Sequence, residues 1–417
     1  MSICEGGFTV SLNTTPAAER IHIGIFGKRN AGKSSLINAV TSQDLAIVSE
    51  QKGTTTDPVY KAMELLPLGP VMIIDTPGID DEGDLGQLRI EKAYQVLNKC
   101  DIVLLVVDAQ TGITKEDKEL WAKVQEKNLP GIVVLNKVDL LSEMQQAMLT
   151  VAAMQLTKHC YLVSAETGFN IKGLKEAIAA LKPKETERQL VGDLLHPYDV
   201  VILVTPIDSA APKGRLILPQ QQVLRNVLDN NAIGLVVQET ELAQALLKLV
   251  EPPRLVVTDS QAFAKVAQIV PPNVPLTSFS ILMARYKGSL ENAVRAVRTL
   301  DTIQDGDKIL ISEGCTHHRQ CQDIGTVKMP GWIRQYTRAE PEFCFTSGGE
   351  FPADLSEYKL VVHCGGCMLN EKEMLHRNKV ALAQGVPMTN YGIAIAYMHG
   401  ILQRTVSPLP DIAKLLE

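Results

Sequence analysis

The chain has 417 residues, a length that predicts two or three domains with a hydrophobic core in each. Its 41 basic and 47 acidic residues give a net charge of -6, which argues against a large nucleic-acid-binding surface. The sequence has no apolar run of the roughly 18 residues that a membrane-spanning helix needs, and its first residues lack a signal-peptide core. Eight cysteines are too few for a disulfide scaffold. Together, these features lead us to expect a cytoplasmic protein with no membrane partner.

The first motif follows a predicted buried strand at residues 21–26 and precedes a predicted helix. Residues 27–34 match the pattern Gly-x-x-x-x-Gly-Lys-Ser of a phosphate-binding loop. Backbone N–H groups of such a loop and of the helix that follows bind nucleotide phosphates. The predicted binding residues here are Gly27, Asn30, Ala31, Gly32, Lys33, Ser34 and Ser35. Lys33 is expected to reach the β and γ phosphates, and Ser34 to bind Mg²⁺.

Two later segments match the loops that sense a γ-phosphate. Thr55, in the polar segment 53–57, is the predicted second protein ligand of Mg²⁺. A predicted strand at 71–74 leads to Asp75-Thr76-Pro77-Gly78, where Asp75 is expected to hold a magnesium-bound water and the Gly78 amide to contact the γ-phosphate. Lys33, Thr55 and Gly78 are therefore the predicted catalytic residues.

The base-recognition motif Asn136-Lys137-Val138-Asp139 follows a predicted strand at 131–135. The Asp139 carboxylate can accept two N–H groups that guanine has and adenine lacks. Ser164 and Ala165, after another apolar run, are expected to place a backbone N–H on the guanine carbonyl oxygen. Together with the phosphate loop, these motifs predict a P-loop domain that binds and hydrolyses GTP.

This segment resembles the translation-factor-class GTPases of the Era and tRNA-modification group, through its Gly-Thr-Thr and Asp-Thr-Pro-Gly motifs. Ile79 stands where Ras-like proteins carry the glutamine that orients water, and an apolar side chain cannot do so. In the GTPases that it resembles, an asparagine of the phosphate loop helps to hold potassium, and Asn30 occupies the matching position. The resemblance thus implies K⁺ as a candidate activator.

A charged, proline-containing run at 182–188 predicts a linker, which leads to three domains at 1–185, 186–300 and 301–417. After the linker, apolar strands at 200–204, 233–237 and 255–257 alternate with helical patterns. Helices at 241–250 and 281–299 offer apolar faces that could pair two subunits. The predicted fold class is α/β, with a P-loop GTPase domain followed by two smaller parallel-sheet α/β domains.

Two groups of potential metal ligands lie in the last domain, each after a predicted buried strand. Cys315 and His317 follow the strand at 309–311, and His363, Cys364 and Cys367 follow the strand at 359–362. Carboxyl ends of neighbouring parallel strands meet at one edge of a sheet, so the two groups are predicted to form a single metal site. The Cys-x-x-Cys of the second group, taken alone, would also fit a redox pair or half of a zinc site.

Around these groups we expect a helix and then a turn at 324–332, a helix at 371–384 capped by Asn370, and an apolar helix at 393–401.

The GTPase motifs joined to Cys-x-His and His-Cys-x-x-Cys resemble, over essentially the whole chain, the FeFe-hydrogenase maturation GTPases of the HydF family. The resemblance implies a middle dimerisation domain, a homodimer, and a 4Fe-4S cluster bound by Cys315, Cys364 and Cys367, with His317 or His363 as variable ligands. It also implies a scaffold that receives a diiron precursor from radical-SAM maturases and delivers it to apo FeFe-hydrogenase. GTP hydrolysis would gate the exchange of these partners.

The alternative is a zinc-containing GTPase of tRNA modification or ribosome assembly, since zinc accepts three cysteines and one histidine. The absence of a basic surface with interleaved aromatic residues argues against an RNA partner. A regulatory GTPase with an incidental group of thiols is the third interpretation.

Overall fold

The structure, a computed structural model, describes residues 15–41, 57–79, 84–183, 188–206, 216–315 and 324–416. The chain divides into two compact units, Met1–Glu185 and Thr186–Glu417. No helix in the described ranges is both long and apolar enough to cross a membrane. Thr55, His317 and most of the predicted linker lie outside the described residues.

The first unit is built on one six-stranded sheet. Its strands are β1 (Ile21–Phe26), β2 (Val59–Leu65), β3 (Gly69–Asp75), β4 (Ile102–Asp108), β5 (Gly131–Asn136) and β6 (Cys160–Leu162). Their order is β2-β3-β1-β4-β5-β6, and only β2 runs antiparallel to its neighbour. The helices are α1 (Lys33–Thr41), α2 (Asp84–Leu97), α3 (Lys115–Glu126), α4 (Glu143–Met154) and α5 (Ile171–Ala180).

Helices cover both faces of this sheet, which explains the uninterrupted apolar strands. Ile102, Leu104 and Val106 of β4 pack with α1 and α5, whereas the alternate residues of β4 pack with α2, α3 and α4. Side chains of a strand point alternately to the two faces, so a strand between two helical layers needs apolar residues at every position. The predicted P-loop architecture is confirmed.

The second unit contains two four-stranded parallel sheets. The first consists of β7 (Val200–Val204), β8 (Ile233–Val237), β9 (Leu255–Thr258) and β10 (Leu276–Ser278), in the order β10-β9-β7-β8. The second consists of β11 (Lys308–Glu313), β12 (Glu342–Ser347), β13 (Leu360–His363) and β14 (Met388–Asn390), in the order β12-β11-β13-β14. The prediction of two parallel-sheet α/β parts after the GTPase domain is confirmed.

Ten α-helices surround these sheets in the described part of the unit. They are α6 (Leu218–Asp229), α7 (Leu242–Lys248), α8 (Phe263–Ile269), α9 (Phe279–Tyr286), α10 (Leu290–Ala296), α11 (Met329–Thr337), α12 (Glu371–Ala383), α13 (Tyr391–Met398), α14 (Leu402–Val406) and α15 (Pro410–Ala413). The cap predicted for α12 is present, because Asn370 Oδ1 accepts a hydrogen bond from the Glu373 N–H at 3.0 Å.

Two helix predictions were wrong in detail. The single helix expected at 281–299 is broken into α9 and α10 at Gly288, whose φ of 73° is a left-handed conformation that ends a helix. The segment 324–332, expected to be a helix and then a turn, begins with a π-helical turn, Ile324–Lys328, and continues into α11 without the expected turn. Pro330 does not break α11, because it lies in the first turn, where its missing N–H leaves no intrahelical bond unmade.

Helices of the first part of the second unit share a hydrophobic core with the second sheet. A single cluster contains Phe263 and Ile281 from the first part together with Ile309, Val362 and Ile393 from the second. The helix α10, which lies within the expected middle domain at 186–300, packs against β14 of the second sheet. The two parts of this unit are therefore packed through apolar side chains rather than joined by a loose linker.

Candidate nucleotide and cysteine sites

The loop between β1 and α1 has two glycines that no other residue could replace. A Cβ on Gly27 would lie 2.2 Å from the Val106 carbonyl oxygen, and one on Gly32 would lie 2.2 Å from Asn136 Nδ2. Both glycines have positive φ angles, 149° and 87°. The loop thus packs closely against the end of β4 on one side and the base-recognition motif on the other, as a nucleotide-binding loop requires.

The predicted phosphate lysine lies across this loop. Lys33 Nζ donates hydrogen bonds to the carbonyl oxygens of Gly27 and Lys28, each at 2.9 Å. Asn30 and Ser35 are exposed, whereas Ala31 is buried. The ammonium group is therefore held against the backbone of the loop that is predicted to bind the phosphates.

The residues predicted to bind magnesium are in contact with each other. Ser34 Oγ donates to Asp75 Oδ2 at 3.3 Å. The other carboxylate oxygen, Asp75 Oδ1, is buried and has no hydrogen-bond partner among the described residues. Burial raises the pKa of Asp75, and the charge of Lys33 opposes this effect. A hydroxyl beside a buried carboxylate oxygen without a partner fits a hydrated Mg²⁺ in its donor chemistry.

The segment that follows β3 is anchored to β1. Thr76 donates to the Ile25 carbonyl oxygen from its backbone N–H at 3.2 Å and from its Oγ1 at 2.8 Å. Ile79 is 4 % exposed and packs in the hydrophobic core with Phe26. The side chain after Gly78 therefore points into the core, away from any attacking water.

The base-recognition motif is tied to the phosphate loop by two side chains. Asn136 Nδ2 donates to the Ala31 carbonyl oxygen, and Asn136 Oδ1 accepts from the Ala165 N–H, both at 3.0 Å. Lys137 Nζ donates to the Asn30 carbonyl oxygen and to Asp108 Oδ2, both at 2.7 Å. These hydrogen bonds thus connect the base-recognition motif to the phosphate loop.

Asp139 and Ser164 differ in what they offer to a base. Asp139 is exposed after β5, as base recognition requires. Ser164 is fully buried, and its Oγ accepts from the Thr167 N–H at 3.1 Å. The N–H of Ala165, which we expected to face the guanine carbonyl, is hydrogen-bonded to Asn136 Oδ1 in this structure.

Sequence analysis missed Asp108, which accepts a hydrogen bond from Lys137. Its position at the carboxyl end of a buried strand is a signal that the sequence does show.

The second candidate site lies where β11 and β13 end. These strands are parallel neighbours, with Ser312 opposite His363, and the Cys364 N–H donates to the Ser312 carbonyl oxygen at 3.0 Å. Cys364 Sγ accepts from the backbone N–H groups of Gly314 at 3.0 Å and Gly366 at 3.4 Å. The loop that leads to Cys315 therefore touches the Cys-x-x-Cys loop.

The three cysteines are partly buried, and Cys364 and Cys367 are free thiols. Burial raises the pKa of Cys364 and raises that of Cys367 to about 12. The donor chemistry, three thiols at adjoining strand ends with N–H groups directed at sulfur, fits a metal group bound by thiolates. Within the described ranges, however, no three Cys, His, Asp or Glu side chains are grouped closely enough to hold a metal ion.

His363 does not face the cysteines as the predicted ligand would. Its ring is 1 % exposed, Nδ1 donates to the Cys364 carbonyl oxygen at 2.8 Å, and Nε2 accepts from Arg377 Nη1 at 3.0 Å. Burial and, next, the Arg377 charge lower the pKa of His363 to about 3, so the ring is neutral. Both ring nitrogens already form hydrogen bonds. In this arrangement, neither nitrogen is available to bind a metal ion as predicted.

Sequence analysis did not identify Arg377, although it is the largest fully buried side chain among the residues that the structure describes. It donates from Nε to Glu373 Oε1 at 2.9 Å and from Nη2 to the Gly348 carbonyl oxygen at 2.8 Å. Its Nη1 also donates to Ser312 Oγ at 3.3 Å. This guanidinium connects α12 to both strands that carry the cysteine loops.

Comparison with known proteins assigns families to most of the chain. Residues 190–288 match the hydrogen maturase F dimerization domain, and residues 291–408 match the hydrogen maturase F tetramerization domain. Residues 22–137 match the family described as 50S ribosome-binding GTPase.

The curated relatives match the GTPase part. The tRNA modification GTPase MnmE of Cyanothece sp. is 38% identical over 159 residues, which are 38% of this chain and 34% of that protein. The MnmE of Helicobacter pylori is 37% identical over 175 residues, 40% of this chain and 37% of that protein. The chain thus spans about a third of the length of these relatives.

Among solved structures, Era from Aquifex aeolicus, bound to GDP and aluminium fluoride, is 22% identical. The match covers 52% of this chain and 93% of that chain, with a TM-score of 0.36.

Proposed function

Because this chain belongs to the hydrogen maturase F family, we propose that it is a GTPase that serves as an iron–sulfur scaffold in FeFe-hydrogenase maturation. It receives a diiron precursor from radical-SAM maturases and delivers it to apo FeFe-hydrogenase. The observation that carries the proposal is the contact between the two cysteine loops. The Gly314 N–H meets Cys364 Sγ at 3.0 Å, in a chain that also has a complete phosphate-binding loop.

The first unit hydrolyses GTP in this proposal. Lys33 and the N–H groups of the phosphate loop hold the phosphates, Ser34 and Asp75 hold Mg²⁺, directly and through water, and Asp139 selects guanine. Thr55 and the Gly78 amide sense the γ-phosphate. Since the Ile79 side chain is buried in the core, water is oriented by other means, and potassium near Asn30 supplies the positive charge.

The cysteine site holds a 4Fe-4S cluster through Cys315, Cys364 and Cys367. Thiolates are the usual protein ligands of such clusters, and a cluster with three of them keeps one iron open to an exchangeable ligand. His317 is the remaining histidine candidate for that position, because both nitrogens of His363 are used by Arg377 and by the Cys364 carbonyl oxygen. The open iron gives the diiron precursor a place to attach.

GTP hydrolysis acts as a timer for partner exchange rather than as a source of chemistry. Loss of a γ-phosphate changes loops and surfaces of a GTPase, whereas cluster bonds are made by thiolate sulfur. The maturases and the apo-hydrogenase would therefore bind different nucleotide states of the same chain.

The middle part forms a homodimer. In the first sheet of the second unit β8 is an edge strand, and its Ile233 and Val236 are 50% and 38% exposed. An exposed apolar edge offers unpaired backbone groups and apolar area to the same strand of a second copy.

The deciding experiment is anaerobic reconstitution with iron and sulfide of the wild type, Cys315→Ser and, as a matched control, Cys344→Ser. Cys344 is a free thiol on β12, away from the two loops. We expect about four irons per chain and a reduced-cluster EPR signal in the wild type and the control. Cys315→Ser should lose both.

Bound zinc without iron would instead favour a zinc-containing GTPase of tRNA modification or ribosome assembly. Equal iron contents in Cys315→Ser and the wild type would reject the ligand assignment.

A further inference from the structure

The segment that follows the GTPase unit is anchored to the second unit from its first described residue. Residues 188–193, which we call the strap, begin three residues after Glu185, where the first unit ends. Arg285, in the last turn of α9, donates from Nη1 to the Leu190 carbonyl oxygen at 3.2 Å and to Asp193 Oδ1 at 2.7 Å. The predicted linker therefore ends at a fixed point of the second unit.

Arg188, the first residue of the strap, contacts two helices. Its Nη1 donates to Glu371 Oε1, and Glu371 is the first residue of α12. A Cβ on Gly288, which lies two residues after the end of α9, would be 2.4 Å from the same nitrogen. The guanidinium thus lies between the C-terminal end of α9 and the N-terminal end of α12.

Those two helices enclose the Cys-x-x-Cys loop. A Cβ on Gly365 would lie 3.6 Å from Ser280 Oγ and 3.7 Å from Met283 Cβ, which belong to side chains of α9. A Cβ on Gly366 would lie 2.7 Å from Met374 Sδ, on α12. The centre of the loop therefore touches both helices, and the space between the helices determines how the loop is held.

The strap also supplies part of the apolar surroundings of one cysteine. Leu190 and Val191 are buried in the same hydrophobic cluster as Met283 of α9, and Cys367 packs against this cluster. Because a protein core is closely packed, a shift of one member is felt by its neighbours. The position of the strap therefore affects the surroundings of the Cys367 thiol.

The contacts of the strap differ in how readily they break. Leu190 and Val191 hold it to α9 through buried apolar surface, which resists opening. Its contact with α12 is the Arg188–Glu371 ion pair, whose side chains are 45% and 24% exposed. A solvent-exposed pair of this kind changes an equilibrium by about fivefold or less. The ion pair can therefore open and close without unfolding the second unit.

We propose that Arg188 is a positioning residue of the cysteine site and links it to the nucleotide state of the GTPase unit. The inference rests on the proposed function, since it takes Cys364 and Cys367 as metal ligands. While Arg188 contacts Glu371, α9 and α12 hold the loop between them and restrict access to both thiols. One nucleotide state shifts the chain that leads to Arg188, breaks this contact, and exposes the thiols to a metal group or a partner protein.

The test measures how fast single cysteines are alkylated in the iron-free, full-length chain. Iodoacetamide is added in the presence of Mg²⁺ with GDP or with a non-hydrolysable GTP analogue, and mass spectrometry of peptides gives the rate at each cysteine. In the wild type, the rates at Cys364 and Cys367 should differ between the two nucleotides, by up to about fivefold. The rate at Cys344, on β12, should be the same with both nucleotides.

Arg188→Gln removes the charge and keeps a polar side chain. It should raise the rates at Cys364 and Cys367 in the more protected nucleotide state by up to about fivefold, and make them equal in the two states. Arg295→Gln, on α10, breaks another exposed ion pair, with Glu291, and is the matched control. Its rates should equal those of the wild type.

A swapped pair separates the ion pair from general effects on packing. Arg188→Glu combined with Glu371→Arg restores opposite charges at the two positions, so it should recover the nucleotide dependence that each single variant loses. Each variant should unfold in urea close to the wild type, because exposed ion pairs contribute little to stability.

Equal rates with GDP and the analogue in the wild type would overturn the coupling, as would wild-type rates in Arg188→Gln. Both results would leave the metal site in place. Cadmium ion, which binds thiolates, should slow the alkylation of Cys364 and Cys367 in the wild type. An absence of protection by cadmium would instead reject the cysteine site, and the proposed function with it.

Discussion

Arg377 Nη1 donates a hydrogen bond to His363 Nε2 at 3.0 Å, and the Nδ1 of the same ring donates to the Cys364 carbonyl oxygen at 2.8 Å. An arginine is only a donor, so this geometry fixes the neutral histidine with its proton on Nδ1. The buried guanidinium thus orients the first residue of the Cys-x-x-Cys loop through the histidine that precedes it. His363 acts on the backbone of the loop in this arrangement, and not as a ligand.

Replacing His363 should therefore affect stability more than iron binding. His363→Ala removes the ring nitrogen that accepts from Arg377 Nη1 and the N–H that donates to the Cys364 carbonyl oxygen, and we expect a loss of about 2 kcal/mol in the free energy of unfolding. His363→Asn keeps an N–H near the position of Nδ1 and should lose less. Iron content after reconstitution, measured below the unfolding transition, should stay near that of the wild type in both variants.

Cys364→Ser serves as the control that does lose iron. The interpretation of His363 would be wrong if both histidine variants unfolded like the wild type in urea and yet bound no iron.

Asp75 should make the nucleotide-free GTPase domain less stable at neutral pH. Burial raises its folded-state pKa above 3.8, so the folded state holds the proton to a higher pH than the unfolded state does. The contribution of Asp75 to the free energy of unfolding is therefore fully present below pH 3.8. It is lost as the pH rises through the folded-state pKa. Asp75→Asn removes this fall, because its amide oxygen still accepts from Ser34 and carries no charge.

We expect Asp75→Asn to raise the melting temperature of the nucleotide-free chain at pH 7 relative to the wild type, and to abolish magnesium-dependent GTP binding. Calorimetry at pH 4 and pH 7 with nucleotide titrations measures both effects. A variant less stable than the wild type at pH 7 would contradict the role of burial.

Asn30 should control the response to potassium. Its φ of 60° is left-handed, so Asn30→Gly keeps the backbone conformation and removes only the side chain. GTP turnover of the wild type should be faster in potassium chloride than in sodium chloride, and Asn30→Gly should lose that difference while still binding GTP. Equal wild-type rates in the two salts would exclude potassium activation.

The edge strand β8 should carry the dimer contact. Lysine at Ile233 and Val236 places charges on the exposed edge and opposes strand pairing. Sedimentation should show a lower dimer fraction for Ile233→Lys/Val236→Lys than for the wild type. Leu247→Lys on α7 is the control, since this exposed apolar side chain lies off the edge strand. A double variant as dimeric as the wild type would place the contact elsewhere.

Much of the architecture could be predicted because its signals are local. The phosphate loop is one continuous segment, its glycines and lysine stand at fixed spacing, and the apolar strands on either side identify it as strand, loop and helix. The two cysteine loops could be placed together because each follows an apolar run, and the carboxyl ends of parallel strands meet. The break of the helix at Gly288 was also readable, since glycine favours the conformation that ends a helix.

Other features depended on contacts between residues far apart in the chain. No sequence pattern states that Arg377 reaches His363 or that Asn136 accepts a hydrogen bond from the Ala165 N–H. The sequence by itself determined the nucleotide-binding motifs, the thiols that could bind a metal, and the succession of strands and helices along the chain. Only the tertiary structure decided that both ring nitrogens of His363 are hydrogen-bonded and that Arg377 is buried, because hydrogen bonding and desolvation depend on what packs around a group in three dimensions.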